Sequence, residues 1–319
     1  MTALAPHAIA DSAHAQPGTL NDSVLTCVAV SKSFTTGGRQ IQALHTVDLQ
    51  VKRGIVTGLI GPDAAGKTTL MRLAAGLLHP DQGQLTVLGL DTVRDSLAIQ
   101  SRIGYMPQRF GLYEDLSVQE NLDLYADLHG IPSSARSSRY QELLHMTDLG
   151  AFTQRLAGRL SGGMKQKLGL ACTLVRSPQI LLLDEPTVGV DPVSRRELWA
   201  IVYRLVRQGG MSVLLSTAYL DEAERCGEVI LIHEGRVLGT GPPGDFSVRL
   251  TGQTYTVALP PGMRKRELQS RLNSARGVRD AVIQGDQVRV VMTTGVDVFE
   301  AIRVATGSNA EVTLSLIHI

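Results

Sequence analysis

The sequence predicts an α/β core built on a parallel β-sheet, followed by a small α+β C-terminal domain. Three short apolar runs bounded by turn residues, at 55–60, 180–184 and 212–216, have the length and composition of buried strands. Helical patterns separate these runs, and strands that alternate with helices favour a parallel sheet. From about residue 252 the pattern of elements changes, which indicates a second, smaller unit.

The composition excludes several classes of protein. The chain has 319 residues, of which 43% are hydrophobic, and a formal net charge of +1. A globular protein with a sizeable core has such values, whereas a disordered chain or a strongly basic nucleic-acid binder does not, so we expect no nucleic-acid partner. No apolar run reaches the roughly 18 residues of a membrane-spanning helix, and we expect any membrane role to depend on another chain.

The first part of the chain predicts a tail and a hairpin. Residues 1–22 have no hydrophobic period and are rich in Ala, His, Pro and Ser, which predicts a disordered tail. The alternation at 24–30, the Gly37-Gly38 pair and the apolar run at 43–51 predict two strands joined by a tight turn.

Between the buried strands the pattern is mainly helical. A helix is predicted over 67–77, directly after the first buried strand, and an amphipathic helix over 195–208. Residues 115–175 have a helical pattern that is broken at Pro132 and Gly158.

The C-terminal segments predict an accessory domain over 251–319. Two strands at 278–284 and 287–292 flank a Gly285-Asp286 turn, as in a hairpin. The whole order is strand, helix, strand, strand, helix, strand, which favours a ferredoxin-like arrangement. Its remaining elements are strands at 254–259 and 311–317 and helices at 264–275 and 296–305.

A phosphate-binding loop is the first sign of chemistry. The sequence GPDAAGKT at 61–68 matches G-x-x-x-x-G-K-[ST] and lies between a predicted strand and a predicted helix. Its glycines let backbone N–H groups turn towards phosphate oxygens, and the helix presents its positive end to the same anion. Lys67 supplies a charge for the phosphates and Thr68 a hydroxyl ligand for Mg²⁺. The loop alone leaves kinases, GTPases, helicases and ABC ATPases open.

Two later motifs narrow the choice. Asp184 ends a buried strand, where it can hold Mg²⁺ through water, and Glu185 follows it, where it can polarise an attacking water. The sequence LSGGM at 160–164 opens a helix and forms a second anion-binding helix start. Since only the first start has the G-K-[ST] sequence that supplies a phosphate-binding lysine and a Mg²⁺ ligand, we expect the second to serve an ATP bound on another domain.

Together these motifs resemble the ABC transporter ATPase family over residues 24–245. LSGGM is similar to the family signature LSGGQ, with Met164 in place of Gln, and GVDP at 189–192 resembles the D-loop. The resemblance assigns 23–250 to the ATPase domain. It implies a P-loop NTPase (RecA-like) core, an antiparallel β subdomain and a helical subdomain with the signature, and two such domains that sandwich two ATP molecules.

The resemblance also implies a set of site residues. Glu185 and Gln108 would be catalytic, and Mg²⁺ would be bound by Thr68, Gln108 and Asp184. Phe34 would stack on adenine, although it could instead be a core aromatic, and Gln108 could be an ordinary loop residue. The remaining ATP contacts would come from the loop residues Gly61, Asp63, Ala64, Ala65, Gly66, Lys67, Thr68 and Thr69 and, towards the ATP of the partner domain, from Ser161, Gly162 and Gly163.

The chain departs from the family at two positions. Ala218 stands where the family has a switch histidine that donates a hydrogen bond to the γ-phosphate. Either the site binds ATP but hydrolyses it slowly, which we favour, or Glu185 suffices for normal hydrolysis. Ala64 replaces a usual glycine in the phosphate loop, a smaller change that is tolerated if the local φ is negative.

The expected function is ATP-driven export of a small molecule or lipid through a separate multi-span permease. Such a subunit would be peripheral, on the cytoplasmic face of the inner membrane, and would pair with a second ABC ATPase domain. The alternatives are an importer ATPase with a regulatory C-terminal domain and a soluble ABC ATPase outside transport. The segment at 216–224 resembles the first half of tandem multidrug exporters, and residues 314–319 resemble translated adapter sequence, so we expect the natural chain to continue.

Overall fold

A computed structural model describes residues 22–109, 111–248, 254–293, 298–306 and 312–314. The strands are β1 (Ser23–Thr36), β2 (Arg39–Lys52), β3 (Val56–Ile60), β4 (Gln82–Val87), β5 (Leu90–Asp91), β6 (Ile103–Met106), β7 (Ile180–Asp184), β8 (Ser212–Thr217), β9 (Glu228–His233), β10 (Arg236–Gly241), β11 (Thr254–Ala258), β12 (Val278–Gln284), β13 (Gln287–Met292) and β14 (Val312–Leu314). The helices are α1 (Lys67–Ala74), α2 (Ser96–Gln100), α3 (Val118–Leu128), α4 (Ser133–Thr147), α5 (Gly162–Leu174), α6 (Pro192–Gly209), α7 (Leu220–Ala223), α8 (Pro243–Val248), α9 (Lys265–Asn273) and α10 (Val298–Thr306).

The central sheet has the order β10-β9-β3-β8-β7-β6. Its strands are parallel except at the edge, where β10 pairs antiparallel with β9. Every residue of β3, β7 and β8 is buried, because α5 and α6 pack on one face of the sheet, and α1 with strands β1, β2 and β4 packs on the other. Parallel register brings Ile60 beside Thr217 and Asp184 beside Ser216, so the ends of these strands meet at one edge.

The N-terminal part of the chain forms a smaller sheet with the order β2-β1-β4-β5. The predicted hairpin is confirmed: Gly37 and Gly38 have φ values of 58° and 77° between β1 and β2. Both strands are longer than predicted. Their paired ends, from Phe34↔Ile41 to Thr36↔Arg39, are exposed on both faces, so no hydrophobic alternation marks them in the sequence.

The helices between β6 and β7 break where the sequence indicates. Pro132 is the N-cap residue of α4, and Gly158 lies in a single 3₁₀ turn before α5. Two predicted helix ends are wrong by about one turn. The helix predicted to end at 77 ends at Ala74, because Gly76 has a φ of 65°, and α6 begins at Pro192 rather than 195, because the Asp191 side chain caps it.

The C-terminal elements follow the predicted order strand, helix, strand, strand, helix, strand. Their sheet has the order β12-β13-β11-β14, and all of its pairs are antiparallel. Side chains of α9 and α10 pack on one face of this sheet, as Leu268 and Ile302 do against Val257 and Val288. Parts of the predictions at 296–305 and 311–317, and residues 1–21 of the predicted tail, lie outside the described residues.

Within the described ranges, no helix combines the length and the apolar character needed to cross a bilayer.

Candidate functional site

The phosphate loop connects β3 to α1 at the edge where the parallel strands end. Two of its glycines are sterically required. A Cβ on Gly66, whose φ is 103°, would lie 2.6 Å from the Ala43 carbonyl oxygen, and a Cβ on Gly61 would overlap the Ile232 carbonyl oxygen. The loop is therefore packed closely between β2 and the β9–β10 turn.

Ala64 does not meet the condition of a negative φ under which alanine is tolerated here. Its φ is 63°, in the left-handed region. An L-residue with a Cβ is less stable there than glycine by about 1 kcal/mol. The backbone of the loop thus keeps the conformation that suits glycine, although the sequence supplies alanine.

Lys67 is held by the loop and by the acid that follows β7. Its Nζ donates to the carbonyl oxygens of Gly61 at 2.8 Å and Pro62 at 2.9 Å, and forms an ion pair with Glu185 Oε1 at 3.0 Å. The side chains of Lys67 and Glu185 are only 4% and 8% exposed. An incoming phosphate would have to take the place of the Glu185 carboxylate at this ammonium group.

Asp184 has one satisfied and one unsatisfied carboxylate oxygen. Ser216 Oγ donates to Oδ1 at 2.6 Å, while Oδ2 is buried and has no hydrogen-bond partner among the described residues. Burial, with the Asp184 charge nearby, raises the pKa of the Tyr105 phenol. A buried carboxylate oxygen without a donor is costly unless it binds a cation or a water molecule. Together with the hydroxyl of Thr68, which lines the cavity, these hard oxygen donors fit Mg²⁺.

Glu185 lies between two polar side chains in a strained backbone conformation. Gln108 Nε2 donates to Oε2 at 2.7 Å, opposite the Lys67 contact at Oε1. The Glu185 amide donates to Ser216 Oγ at 3.0 Å, and its φ is 50°. A non-glycine residue in this region persists only where the surroundings fix it, which often occurs at functional sites.

These residues surround an open cavity of about 640 Å³. The structure brings together most of the predicted loop residues with Gln108 and Glu185, while Gly61 and Asp184 lie at the base, in contact with Lys67 and Ser216. The lining residues are Asp63, Ala64, Ala65, Gly66, Lys67, Thr68, Thr69, Gln108, Glu185, Val188, Ala218 and Tyr219.

Phe34 does not line this cavity. It lies near the end of β1, is 38% exposed, and the Lys32 ammonium group is 5.6 Å from its ring centroid. This exposure contradicts the alternative that Phe34 is a core aromatic. Its stacking on adenine remains a prediction.

The predicted second anion site is also outside the cavity. Ser161 is the N-cap residue of α5, and its Oγ accepts from the Met164 amide at 3.3 Å. Gly163 has a packing role as well, because a Cβ there would overlap the Ser194 side chain of α6. Contact of these residues with the ATP of a partner domain remains a prediction.

Sequence reasoning missed Ser216, Thr217 and Tyr219. Ser216 bonds to Asp184 and Glu185, while the Thr217 Oγ1 accepts from the Tyr219 amide at 3.0 Å. The two hydroxyl residues end a strand that runs parallel to both the phosphate-loop strand and β7. That strand order, had it been assigned from the sequence, would have placed them at the site.

Known proteins match both the sequence and the fold. Residues 44–188 match the ABC transporter family profile. Over 273 residues the chain is 50% identical to the probable multidrug ABC transporter ATP-binding protein YbhF of Escherichia coli K12, covering 86% of this chain and 46% of YbhF. It is 41% identical over 219 residues to the daunorubicin resistance ATP-binding protein DrrA3 of Streptomyces coeruleorubidus, covering 68% and 69% of the two chains. The chain belongs to the ABC transporter ATP-binding family.

Solved structures agree with this ABC assignment. CbiO1 of Clostridium perfringens, part of the ABC transporter complex cbiONQ, aligns with a TM-score of 0.65 at 26% identity, covering 71% of this chain and 91% of CbiO1. The ATP-binding cassette MJ0796, solved as a dimer with ADP and Pi, gives 0.63 at 25% identity, covering 69% and 98%. These matches confirm the predicted ABC fold class. The chain spans about half the length of the YbhF proteins.

Proposed function

We propose that this chain binds Mg²⁺-ATP at the phosphate loop and hydrolyses it to drive export through a separate membrane permease. The observation that carries the proposal is the position of Glu185, whose carboxylate lies between Lys67 and Gln108 at the mouth of the loop. Relatives named for daunorubicin and doxorubicin resistance favour export of a small molecule, or of a lipid, over import.

Nucleotide binding would begin with an exchange of partners at Lys67. The phosphate oxygens accept from the loop amides and take the Lys67 ammonium group, which releases Glu185 Oε1 from its ion pair. Glu185 remains bonded to Gln108, so its freed oxygen can accept a hydrogen bond from a water molecule. This carboxylate orients the water for attack on the γ-phosphorus and takes its proton as the bond to the β-phosphate oxygen breaks.

Thr68, Gln108 and Asp184 are the residues that would hold Mg²⁺. When bound, the ion neutralises charge that develops on the phosphate oxygens during transfer. Asp184 is preorganised for this task, because Ser216 fixes one of its oxygens and leaves the buried Oδ2 free to bind the ion or its water.

The proposed assembly contains a second ABC ATPase domain. Ser161, Gly162 and Gly163 would close over the ATP of that domain, while its own signature closes over the ATP at this loop. The dimer of MJ0796 supports such an arrangement. We propose that this second domain is either another copy of the same type or the second half of a tandem protein, and the 46% share of YbhF that the chain covers supports the tandem arrangement. We further propose that 23–250 form the ATPase domain and 251–319 a ferredoxin-like accessory domain, on the cytoplasmic face of the inner membrane.

Ala218 suggests that this site is slow. It lines the cavity. The resemblance to the family implies a histidine at this position, whereas the methyl group of alanine offers no donor to the γ-phosphate. Losing one donor to transition-state charge lowers a rate by about 10² to 10³-fold. We expect Ala218→His to raise ATP turnover of the assembled complex, while no rise or a fall would contradict the slow-site proposal.

The function is tested by comparing ATP binding and phosphate release for the wild-type chain, Lys67→Ala and a surface control, Lys265→Ala. We expect Lys67→Ala to lose most ATP binding, because the loop keeps its amides but loses its only ammonium group, and Lys265→Ala to match the wild type. Equal binding by all three proteins would contradict the proposal.

A further inference from the structure

The first turn of α6 contacts the tip of α5. Asp191 Oδ1 accepts from the amides of Val193 and Ser194, at 3.0 Å each, which fixes the start of α6. Ser194 packs directly on Gly163, where no Cβ fits. The helix start after the D-loop is thus fixed to the surface that, under the proposed function, meets the ATP of the second domain.

The next residue, Arg195, reaches from α6 to the wall of the cavity. Its guanidinium carbon lies 4.5 Å from the ring centroid of Tyr219, which lines the cavity beside Ala218. The same guanidinium group is 3.6 Å from an Asp221 oxygen and 3.8 Å from a Glu222 oxygen. Arg195 therefore connects α6 with Tyr219, Asp221 and Glu222, which lie in the segment that follows β8.

The contact between Arg195 and Tyr219 is more important in this chain because Ala218 replaces the switch histidine of the family. A histidine would hold the segment that follows β8 to the γ-phosphate. With alanine at this position, the segment is held only by contacts within the protein. Those contacts include the bond from the Tyr219 amide to Thr217 and the stacking of Arg195 on the Tyr219 ring. A planar guanidinium group stacks on an aromatic ring in a way that an ammonium group does not.

We propose that Arg195 is a positioning residue that holds Tyr219 at the wall of the nucleotide cavity. Arg195 would thereby connect this wall to the contact between the first turns of α5 and α6, which under the proposed function faces the second domain. The proposal rests on the proposed function. A simpler role for Arg195 is to neutralise Glu222, whose side chain is fully buried. Lysine would keep that charge but lose the stacking, so the two roles can be separated.

Trp199 provides a signal that does not require hydrolysis. It is the only tryptophan of the chain and lies one turn beyond Arg195. Its Nε1 donates to Glu222 Oε1 at 3.3 Å, and it is 1% exposed. A movement of the segment after β8 against α6 should therefore change its emission.

The experiment compares the full chain with Arg195→Lys, Tyr219→Leu and the double variant. The matched control is Arg196→Lys, at the exposed neighbouring position on the same helix. We expect Mg²⁺-ATP to change Trp199 emission in the wild type and control, and to change it much less in the three variants. We also expect kcat to fall about fivefold with the KM for ATP and the melting temperature unchanged. The double variant should be no worse than the more affected single variant, because one contact is lost in each.

Several results would overturn this role. They are an absent emission response in the wild type, single variants that match Arg196→Lys, additive effects in the double variant, or a joint change of KM and melting temperature. Failure of the proposed function is distinct, since the wild type would then release no more phosphate than Glu185→Gln, whereas the emission measurement would still decide the role of Arg195.

Discussion

Replacing Glu185 with glutamine should have opposite effects on the nucleotide-free and the ATP-bound protein. Without nucleotide, the Lys67 ammonium group has three partners: the Gly61 and Pro62 carbonyl oxygens and Glu185 Oε1. Glutamine removes the only negative charge among them but keeps an oxygen and nearly the same volume. With nucleotide bound, the phosphates supply the charge instead, so the substitution should matter little to the stability of that state.

The size of the expected loss in stability follows from the burial of the Lys67–Glu185 ion pair. Removing one partner of a buried ion pair costs about 3–5 kcal/mol. We expect about 2 kcal/mol here, below that range, because both carbonyl oxygens remain on Lys67. For an ATPase domain of this size, this loss lowers the melting temperature by roughly 4–8 °C. Since the bound state avoids the loss, the affinity for Mg²⁺-ATP should rise by about 30-fold.

Thermal unfolding with and without Mg²⁺-ATP measures both quantities. The matched control is Glu228→Gln, since Glu228 is a buried acid paired with Lys52 at 2.8 Å and does not line the cavity. We expect the control to leave the affinity for ATP unchanged. If Glu185→Gln left both the nucleotide-free melting temperature and the ATP affinity at wild-type values, the Lys67–Glu185 exchange would be refuted.

Three further predictions concern backbone, packing and pH. Ala64→Gly should stabilise the protein by about 0.5–1 kcal/mol, because φ is 63° at this position, and denaturant unfolding would show no gain if the strain were absent. Gly163→Ala should lower the melting temperature, while Gly162→Ala, where a Cβ would meet only one atom, at 3.7 Å, should not; equal effects would contradict the packing of α5 on α6. The hydrogen bond from Lys32 is the main cause that lowers the pKa of Asp81 in the folded protein. The contribution of the Asp81 carboxylate to the free energy of unfolding is therefore present above its unfolded-state pKa and is lost as pH falls through its folded-state pKa. Asp81→Asn should therefore flatten the acid limb of the stability profile, and an unchanged limb would contradict it.

The sequence predicted the parallel core well because both faces of its strands are buried. Segments such as Ile180–Asp184 are apolar without interruption, and this pattern is visible without any tertiary information. Turn residues likewise located the hairpin at Gly37 and the break at Pro132. The exposed ends of β1 and β2 and the true end of α1 were missed, because backbone pairing and a left-handed Gly76 leave no hydrophobic pattern.

The candidate site was predictable in its residues but not in its contacts. Motif spacing identified Lys67 and Glu185, yet their ion pair depends on a left-handed backbone at Glu185 that no local pattern reveals. The left-handed φ at Ala64 was not predictable for a related reason, since the surrounding elements fix the loop conformation regardless of the residue. Ser216 and Tyr219 were missed because their positions depend on the strand order of the sheet.

The most direct test of the central claim is a single-turnover measurement of phosphate release from ATP already bound at the loop. We predict that the wild-type chain releases phosphate and that Glu185→Gln retains intact ATP for far longer, because only the carboxylate can take the proton of the attacking water. Equal release rates for the two proteins would contradict the assignment of Glu185 and of this cavity as the site of hydrolysis.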